Sequence, residues 1–137
     1  MRVLMISGDA DILRAGSETA ERMKEYRKVF GEIDILLAYG SIFRFAAACL
    51  NGILTLFKKK YDVITAQSAE HALLAWIFSR FFRVPWQMQI HTDIFSPHFV
   101  RSSVSNRIRV VLARFLISRA DCIRVVSERI KKSILWT

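Results

Sequence analysis

The sequence alternates five times between a short apolar run and a longer amphipathic stretch, and this alternation constrains the fold most strongly. The short runs are rich in Val, Ile and Leu and end in polar or turn-forming residues, as buried strands do. They cover residues 2–7, 33–39, 62–66, 86–90 and 121–126. Helical spacing follows at 18–30, 42–58, 69–82, 103–118 and after Ser127. We therefore predict one α/β domain over residues 1–137, a Rossmann-like doubly wound parallel sheet of about five strands with helices on both faces.

The sequence also indicates where helices begin and end and which of their faces are buried. Ser17, Ser68 and Ser127 stand where a helix N-cap is needed, and Gly31 stands where the first helix must end. Two apolar sets are predicted to face the core. The first is the aromatic cluster Phe78, Phe81, Phe82 and Trp86, and the second is the stripe Val104, Ile108, Val111, Leu112, Phe115 and Leu116.

The charge is unevenly distributed. The chain carries 21 Lys and Arg against 12 Asp and Glu, a net charge of +9. Seven of each kind precede Lys58, so the whole excess follows from there. A positive field attracts phosphate groups, whether in anionic lipid, nucleotide or nucleic acid, although a solvated basic surface explains the same composition.

Neither a targeting segment nor a membrane span is predicted. The N-terminal apolar run is shorter than a signal peptide requires. The longest apolar segment, residues 42–57, contains Arg44 and Asn51 and is shorter than a bilayer-spanning helix. We predict a buried or membrane-touching helix there. Cys49 and Cys122 lack ligand-spaced partners and are interpreted as small buried side chains in a reducing compartment, so a cytoplasmic location is expected.

The carboxyl ends of the predicted strands form the candidate site, since open parallel sheets bind ligands there. Polar residues follow each strand, and His91 with Thr92 and Asp93 ends the fourth. The imidazole of His91 could donate a hydrogen bond to a sugar hydroxyl or a carbonyl. A histidine that only satisfies neighbouring backbone groups is the alternative.

Gly16 and Ser17 open the first helix, where a phosphate could bind or where the chain could simply make a tight turn. Neither G-x-G-x-x-G nor a P-loop motif is present. The three histidines are not spaced as metal ligands, and no G-x-S-x-G marks a hydrolase nucleophile.

Three segments form a recognisable set, the stretches YDVITAQS (61–68), WQMQIHTD (86–93) and ADCIRVVS (120–127), the last followed by a Glu-Arg-Ile-Lys helix start. Together they resemble the N-terminal domain of family 4 glycosyltransferases, which have the GT-B architecture. The order and spacing match most of the chain from Lys60 onward, together with the opening strand.

The resemblance implies a retaining enzyme that transfers a sugar from a nucleotide-sugar donor to a glycan or lipid-linked acceptor, without an essential metal and with no nucleic acid as partner. By position, His91 would contact the donor sugar as the catalytic residue, and Gly16 and Ser17 would approach the donor phosphates. Gln67, Ser68, Asp93, Phe95 and His98 would face the acceptor. Such enzymes often make peripheral contact with the inner face of an anionic plasma membrane.

Two departures limit these expectations. The usual glycine pair after the first strand is reduced to Gly16, and we expect the donor-binding C-terminal half to be absent from this chain. We therefore expect the chain alone to be inactive. The alternative is a non-catalytic basic Rossmann-like module that binds anionic membrane or nucleic acid. A signalling receiver domain is disfavoured, because the third strand ends in Ala66-Gln67 where an Asp is required.

Overall fold

The computed structural model describes residues 1–135, apart from the side chain of Ile42. The strands are β1 (Arg2–Ser7), β2 (Glu32–Leu37), β3 (Val63–Gln67), β4 (Trp86–Ile90) and β5 (Cys122–Val125). The helices are α1 (Glu18–Phe30), α2 (Ile42–Lys58), α3 (Ser68–Phe82), α4 (Pro97–Ser102), α5 (Val104–Ile117) and α6 (Glu128–Leu135). A 3-10 helix, Ala10–Leu13, precedes α1. The predicted fold class is confirmed, and the last two residues of the predicted domain lie outside the described range.

The five strands form one sheet in the order β2-β1-β3-β4-β5, and every neighbouring pair is parallel. The register sets Ile6 of β1 opposite Leu36 of β2 and Ala66 of β3. The strand order changes direction between β1 and β3. In open α/β sheets the carboxyl ends of the strands at such a switch point form the ligand-binding crevice.

Two of the predicted helix starts and the predicted end of α1 are confirmed. The Ser17 side chain accepts a hydrogen bond from the Ala20 amide, and Ser127 accepts one from the Ile130 amide. Gly31 ends α1 with φ 95°, a positive value that glycine adopts without strain. The prediction that Ser68 caps α3 is wrong. Ser68 is the first helical residue with φ 66°, and Gln67 in the cap position makes no side-chain capping bond.

The two faces of the sheet carry cores of different size. The larger core joins the sheet to α2, α3, α5 and α6 and includes Ile64, Trp86 and Leu116. The smaller core lies under α1, around Met23. Cys122 is exposed in the edge strand β5, so its predicted burial is wrong; Cys49 is half-buried.

The predicted apolar face of α5 is correct only in part, because Leu116 is buried and Leu112 packs against the larger core while the other members of the stripe are exposed. Val104, Ile108 and Val111 are 69%, 63% and 67% exposed, whereas the buried residues of the helix are Val110, Ala113 and Leu116. The helix is apolar on more than one side, so helical spacing alone could not choose the buried side. Phe81 likewise leaves the predicted aromatic core and is 81% exposed, while Phe78 and Trp86 are buried. Within residues 1–135, none of the helices has the length and apolar character needed to cross a bilayer.

Candidate functional site

A cavity of about 820 Å³ opens at the carboxyl edge of the sheet. Its walls come from Gly8 after β1, from residues 38–41 after β2, from residues 67–71 at the start of α3, and from residues 88–92 at the end of β4. Ile94, Phe45 of α2, Phe99 of α4 and Arg109 of α5 complete the lining. The cavity therefore lies at the switch point between β1 and β3, where the topology predicts ligand binding.

His91 stands on the rim of this cavity and is exposed. Its Nε2 lies 3.2 Å from Oε1 of Gln89, whose amide nitrogen donates to Oγ1 of Thr65 at 2.7 Å. Both hydrogen bonds of Gln89 are satisfied when the Nε2–H of His91 donates to it. This tautomer leaves Nδ1 of His91 as a hydrogen-bond acceptor. Partial burial, followed by the positive charges of Arg124 and Arg22, holds the pKa of His91 below its ordinary value. The ring is consequently neutral at neutral pH.

Gln67 and Ser68, both predicted to face an acceptor, line the same cavity. Oε1 of Gln67 accepts a hydrogen bond from the Ser7 hydroxyl at 2.9 Å, so the side chain spans the ends of β1 and β3. The positive φ of Ser68 is uncommon for a residue other than glycine and marks a locally constrained backbone within the site.

The sequence analysis missed His71, which lines the cavity. Its Nδ1 is 2.7 Å from both Oγ of Ser68 and the carbonyl oxygen of Gln67, and its Nε2 is 2.6 Å from the carbonyl oxygen of Ala38. The ring thus bridges the ends of β2 and β3 across β1. A usable signal existed, because side chains in the first turn of a helix lean back toward the strand that precedes it.

Gly8 allows this bridge to form. A Cβ at Gly8 would lie 2.7 Å from Cε1 of His71, closer than carbon atoms approach one another. The absence of a side chain at residue 8 therefore lets the imidazole rest against the end of β1.

Glu70 and Arg109 form an ion pair at the cavity wall. Burial opposes ionisation of Glu70, but hydrogen bonds from the backbone and from Arg109, with the charge of Arg109, outweigh it, and the pKa of Glu70 is lowered. The Glu70 carboxylate is therefore ionised and paired with Arg109, and it is not a proton-transferring group.

Gly16 and Ser17, predicted to approach donor phosphates, do not line the cavity. Gly16 adopts φ 81° with open space where a Cβ would be. Ser17 is engaged locally: its hydroxyl donates to the Asp11 carbonyl at 2.5 Å while it caps α1.

The remaining three predicted acceptor residues also lie away from the cavity lining. Asp93 faces Arg129 of α6 at 3.5 Å, and its Oδ1 is buried without a hydrogen-bond partner among the described residues. Phe95 packs against the larger core under the guanidinium of Arg114. His98 is exposed on α4. Thr92, Ile94 and Phe99 line the cavity from this segment instead.

The described residues contain no cluster of His, Cys, Asp or Glu suited to a metal ion. The cavity offers a hydroxyl, an amide, an imidazole acceptor and aromatic walls. Such a mixture suits a polyhydroxylated ligand with apolar ring faces.

This chain is similar to known proteins in sequence and in fold. A family model described as a glycosyl transferase 4-like domain matches residues 15–136. A crystal structure of Anabaena Alr3699/HepE in complex with UDP and glucose is similar over 99% of this chain, with 17% sequence identity and a TM-score of 0.58. The chain spans 41% of the length of that protein. A search of curated proteins gave no match. The chain belongs to the glycosyl transferase 4-like domain family.

Proposed function

We propose that this chain is the acceptor-side half of a retaining glycosyltransferase that moves a sugar from a nucleotide-sugar donor to a glycan or lipid-linked acceptor. The observation that carries the proposal is the cavity at the carboxyl edge of the sheet, with His91 on its rim, in a chain of this family. The similar Anabaena protein was solved with UDP and glucose, which supports a nucleotide sugar as donor.

In this proposal the acceptor occupies the cavity. Ser68 and Thr92 would meet its hydroxyl groups, and the aromatic ring of Phe99 would meet its apolar faces. Neutral His91, with Nδ1 unengaged by Gln89, would accept a hydrogen bond from a hydroxyl of the sugar being transferred. No essential metal is invoked.

The chain alone is expected to be inactive. A cavity open along the strand ends supplies groups to one side of a reacting sugar only. Catalysis of sugar transfer requires charge stabilisation around the leaving phosphate as well, and Gly16 and Ser17, the predicted phosphate contacts, lie outside the cavity. A cytoplasmic location and peripheral contact with an anionic membrane belong to the same proposal.

A glycan array followed by saturation-transfer NMR on each hit tests the proposal. We expect glycan binding that is lost in His71→Ala, which removes one imidazole from the cavity wall, and kept in Arg14→Gln, a change at an exposed residue outside the cavity lining. No transfer from UDP-glucose should occur. Transfer by the isolated chain would contradict its inactivity. UDP binding in the cavity without any glycan binding would contradict the acceptor assignment.

The competing proposal is a non-catalytic basic module for anionic membrane or nucleic acid. The family match favours the transferase half, because charge alone does not explain a cavity built at the switch point. Steeply salt-dependent binding of duplex DNA, with no glycan bound, would favour the module instead.

A further inference from the structure

Strand β4 is apolar on one face and polar on the other. The core-facing residues are Trp86, Met88 and Ile90. Gln87 and Gln89 occupy the alternate positions, and His91 continues their face just beyond the strand. A strand inside a parallel sheet that carries helices on both faces is usually apolar on both. The polar face of β4 therefore needs its own explanation.

Hydrogen bonds join these polar side chains across three strands. Gln87 lies opposite Thr65 of β3 and Cys122 of β5 in the register of the sheet. The Thr65 hydroxyl donates to Oε1 of Gln87 at 3.2 Å, and the amide nitrogen of Gln87 donates to Sγ of Cys122 at 3.6 Å. Oγ1 of Thr65 in turn accepts from the amide nitrogen of Gln89, whose Oε1 faces His91. We call these five residues the polar network.

The middle of the polar network is buried. Thr65 and Gln89 are each 4% exposed, Gln87 is half-buried and Cys122 is exposed. Burying a polar side chain is costly unless its hydrogen bonds are made, and apolar side chains of similar size would avoid that cost. A buried network whose bonds are all made holds its members in one arrangement. The polar network is therefore better suited to fixing an arrangement than to adding stability.

The arrangement has a direction that ends at His91. A threonine hydroxyl has one proton, and Thr65 donates it to Gln87, so its oxygen is left to accept from Gln89. The amide nitrogen of Gln89 is thereby turned to Thr65 and its carbonyl oxygen to His91. A carbonyl oxygen only accepts, so Nε2 of His91 carries the proton and Nδ1 does not. Reversing the amide of Gln87 would reverse every step.

We propose that Thr65 and Gln87 are positioning residues for the proposed sugar transfer, because the polar network sets which nitrogen of His91 carries the proton. Neither residue lines the cavity, so both act on a ligand only through Gln89 and His91. In the observed direction Nδ1 accepts a hydrogen bond, as from a sugar hydroxyl. In the reversed direction Nδ1 would carry a proton and would suit a carbonyl or phosphate oxygen instead. The part in sugar transfer rests on the proposed function, whereas the control of the tautomer does not.

Opposite substitutions at Gln87 give the first test. A carboxylate only accepts, so Gln87→Glu should keep the direction of the polar network. An ammonium group only donates, so in Gln87→Lys the Thr65 proton should turn to Oε1 of Gln89 and the amide nitrogen of Gln89 should face Nε2 of His91. Residue 87 is half-buried, so either charge keeps contact with solvent.

The measurement is a long-range ¹H–¹⁵N spectrum of the histidine rings at a pH of about 8, where the His91 ring is neutral. His91→Gln assigns the signals. The form protonated on Nε2 should make up about nine-tenths of the wild type and of Gln87→Glu, and about one-tenth of Gln87→Lys, which corresponds to one net hydrogen bond in each direction. A role of Gln87 in stability alone would leave these fractions equal.

Substitutions at Thr65 give the second test, because the signal must pass through its hydroxyl. In a Thr65→Val background, Gln87→Lys should no longer change the tautomer, since valine has nearly the shape of threonine but no proton to turn. In a Thr65→Ser background it should still invert the tautomer. Tyr61→Phe removes a hydroxyl that bonds Asp34, before the amino end of β3, and should leave His91 as in the wild type. Circular dichroism checks that each variant folds, and the Gln87 pair decides the matter where Thr65→Val does not.

Three results would overturn the proposal. Equal tautomer fractions in Gln87→Glu and Gln87→Lys would mean that His91 is set by its own surroundings. Inversion that persists in the Thr65→Val background would mean that the lysine charge acts directly on the ring. Loss of inversion in the Thr65→Ser background would remove the role of the hydroxyl. The spectra need no ligand and glycan binding is measured separately, so failure of the polar network and failure of the proposed function are distinguished.

Discussion

Helix α1 on one face of the sheet and helices α2 and α5 on the other meet solvent in different ways. On α1, acidic and basic side chains alternate and form the ion pairs Arg22–Glu18, Lys24–Glu21 and Lys28–Glu25. On α2 and α5 there are cations without acids beside broad exposed apolar stripes. Surface pairs of the α1 type contribute little to stability but keep a helix soluble. The contrast shows that the two faces of the sheet present different surfaces, paired charges on α1 and exposed apolar side chains beside cations on α2 and α5.

The same division extends inward. The face carrying α2, α3 and α5 holds the larger core, and these helices also line the cavity. The α1 face holds the smaller core and contributes Gly16 and Ser17, which lie outside the cavity. Packing, ligand site and exposed apolar surface therefore concentrate on one side of the sheet.

The largest expected effect concerns the two cores. Trp86 is 1% exposed, and its ring nitrogen donates to the Arg119 carbonyl at 3.1 Å. Trp86→Ala should lower the free energy of unfolding by about 4 kcal/mol, through a cavity and a lost hydrogen bond. Met23→Ala in the smaller core should cost about 2 kcal/mol. Urea denaturation measures both, and equal losses would mean that the two faces contribute alike.

Substitutions at two glycines test the two sides of the sheet separately. Gly8 lies beside the cavity, and Gly16 precedes α1. Gly8→Ala should displace the His71 ring and destabilise the fold by roughly 1–3 kcal/mol, because the added Cβ would clash with Cε1. Gly16→Ala meets no neighbouring atom but strains a backbone at φ 81°, and should cost about 1 kcal/mol. The ring resonances of His71 in a ¹H–¹³C spectrum should move only in Gly8→Ala. Movement in both variants would show that the loop at Gly16 reaches the cavity.

The starts of α1 and α3 provide a third comparison. Ser17→Ala removes the hydrogen bond to the Ala20 amide and should cost about 1 kcal/mol. Ser68→Ala should change thermal stability little, because Ser68 does not cap α3 and its hydroxyl contacts His71 instead. A loss in Ser68→Ala as large as in Ser17→Ala would show that the Ser68–His71 contact stabilises the fold.

The residues explain why the fold was predictable and the site only partly so. Strands and most helix ends depend on local chemistry, such as the apolar run of β1, the Ser17 cap and the Gly31 stop, and these were predicted correctly. The inward face of α5 depends on which side meets the sheet, and both sides are apolar. The sequence indicated the strand ends as the site, and His91, Gln67 and Ser68 do meet there. It could not indicate that the chain after His91 turns Phe95 toward the core or that His71 reaches back across β1.

The smallest expected effect lies where the two faces meet, at His91. Arg124 contacts Tyr26 of α1 through a hydrogen bond of 3.1 Å, and its charge acts on His91 at the cavity rim. Because burial and the charges of Arg124 and Arg22 lower the pKa of His91, an NMR titration should place its midpoint below the ordinary value of about 6.5. Above that pH the ring is neutral in both folded and unfolded chains and contributes nothing to the pH dependence of stability. As the pH falls through about 6.5 the unfolded chain takes up the proton first, so acid favours unfolding until the folded pKa is passed. The ring is partly exposed, and solvent screening keeps this loss small.

Arg124→Gln should raise the midpoint and reduce the acid sensitivity, whereas Arg14→Gln, a matched change on the α1 face, should do neither. An unmoved midpoint in Arg124→Gln would leave burial and the charge of Arg22 as the causes and would separate the cavity rim electrostatically from β5.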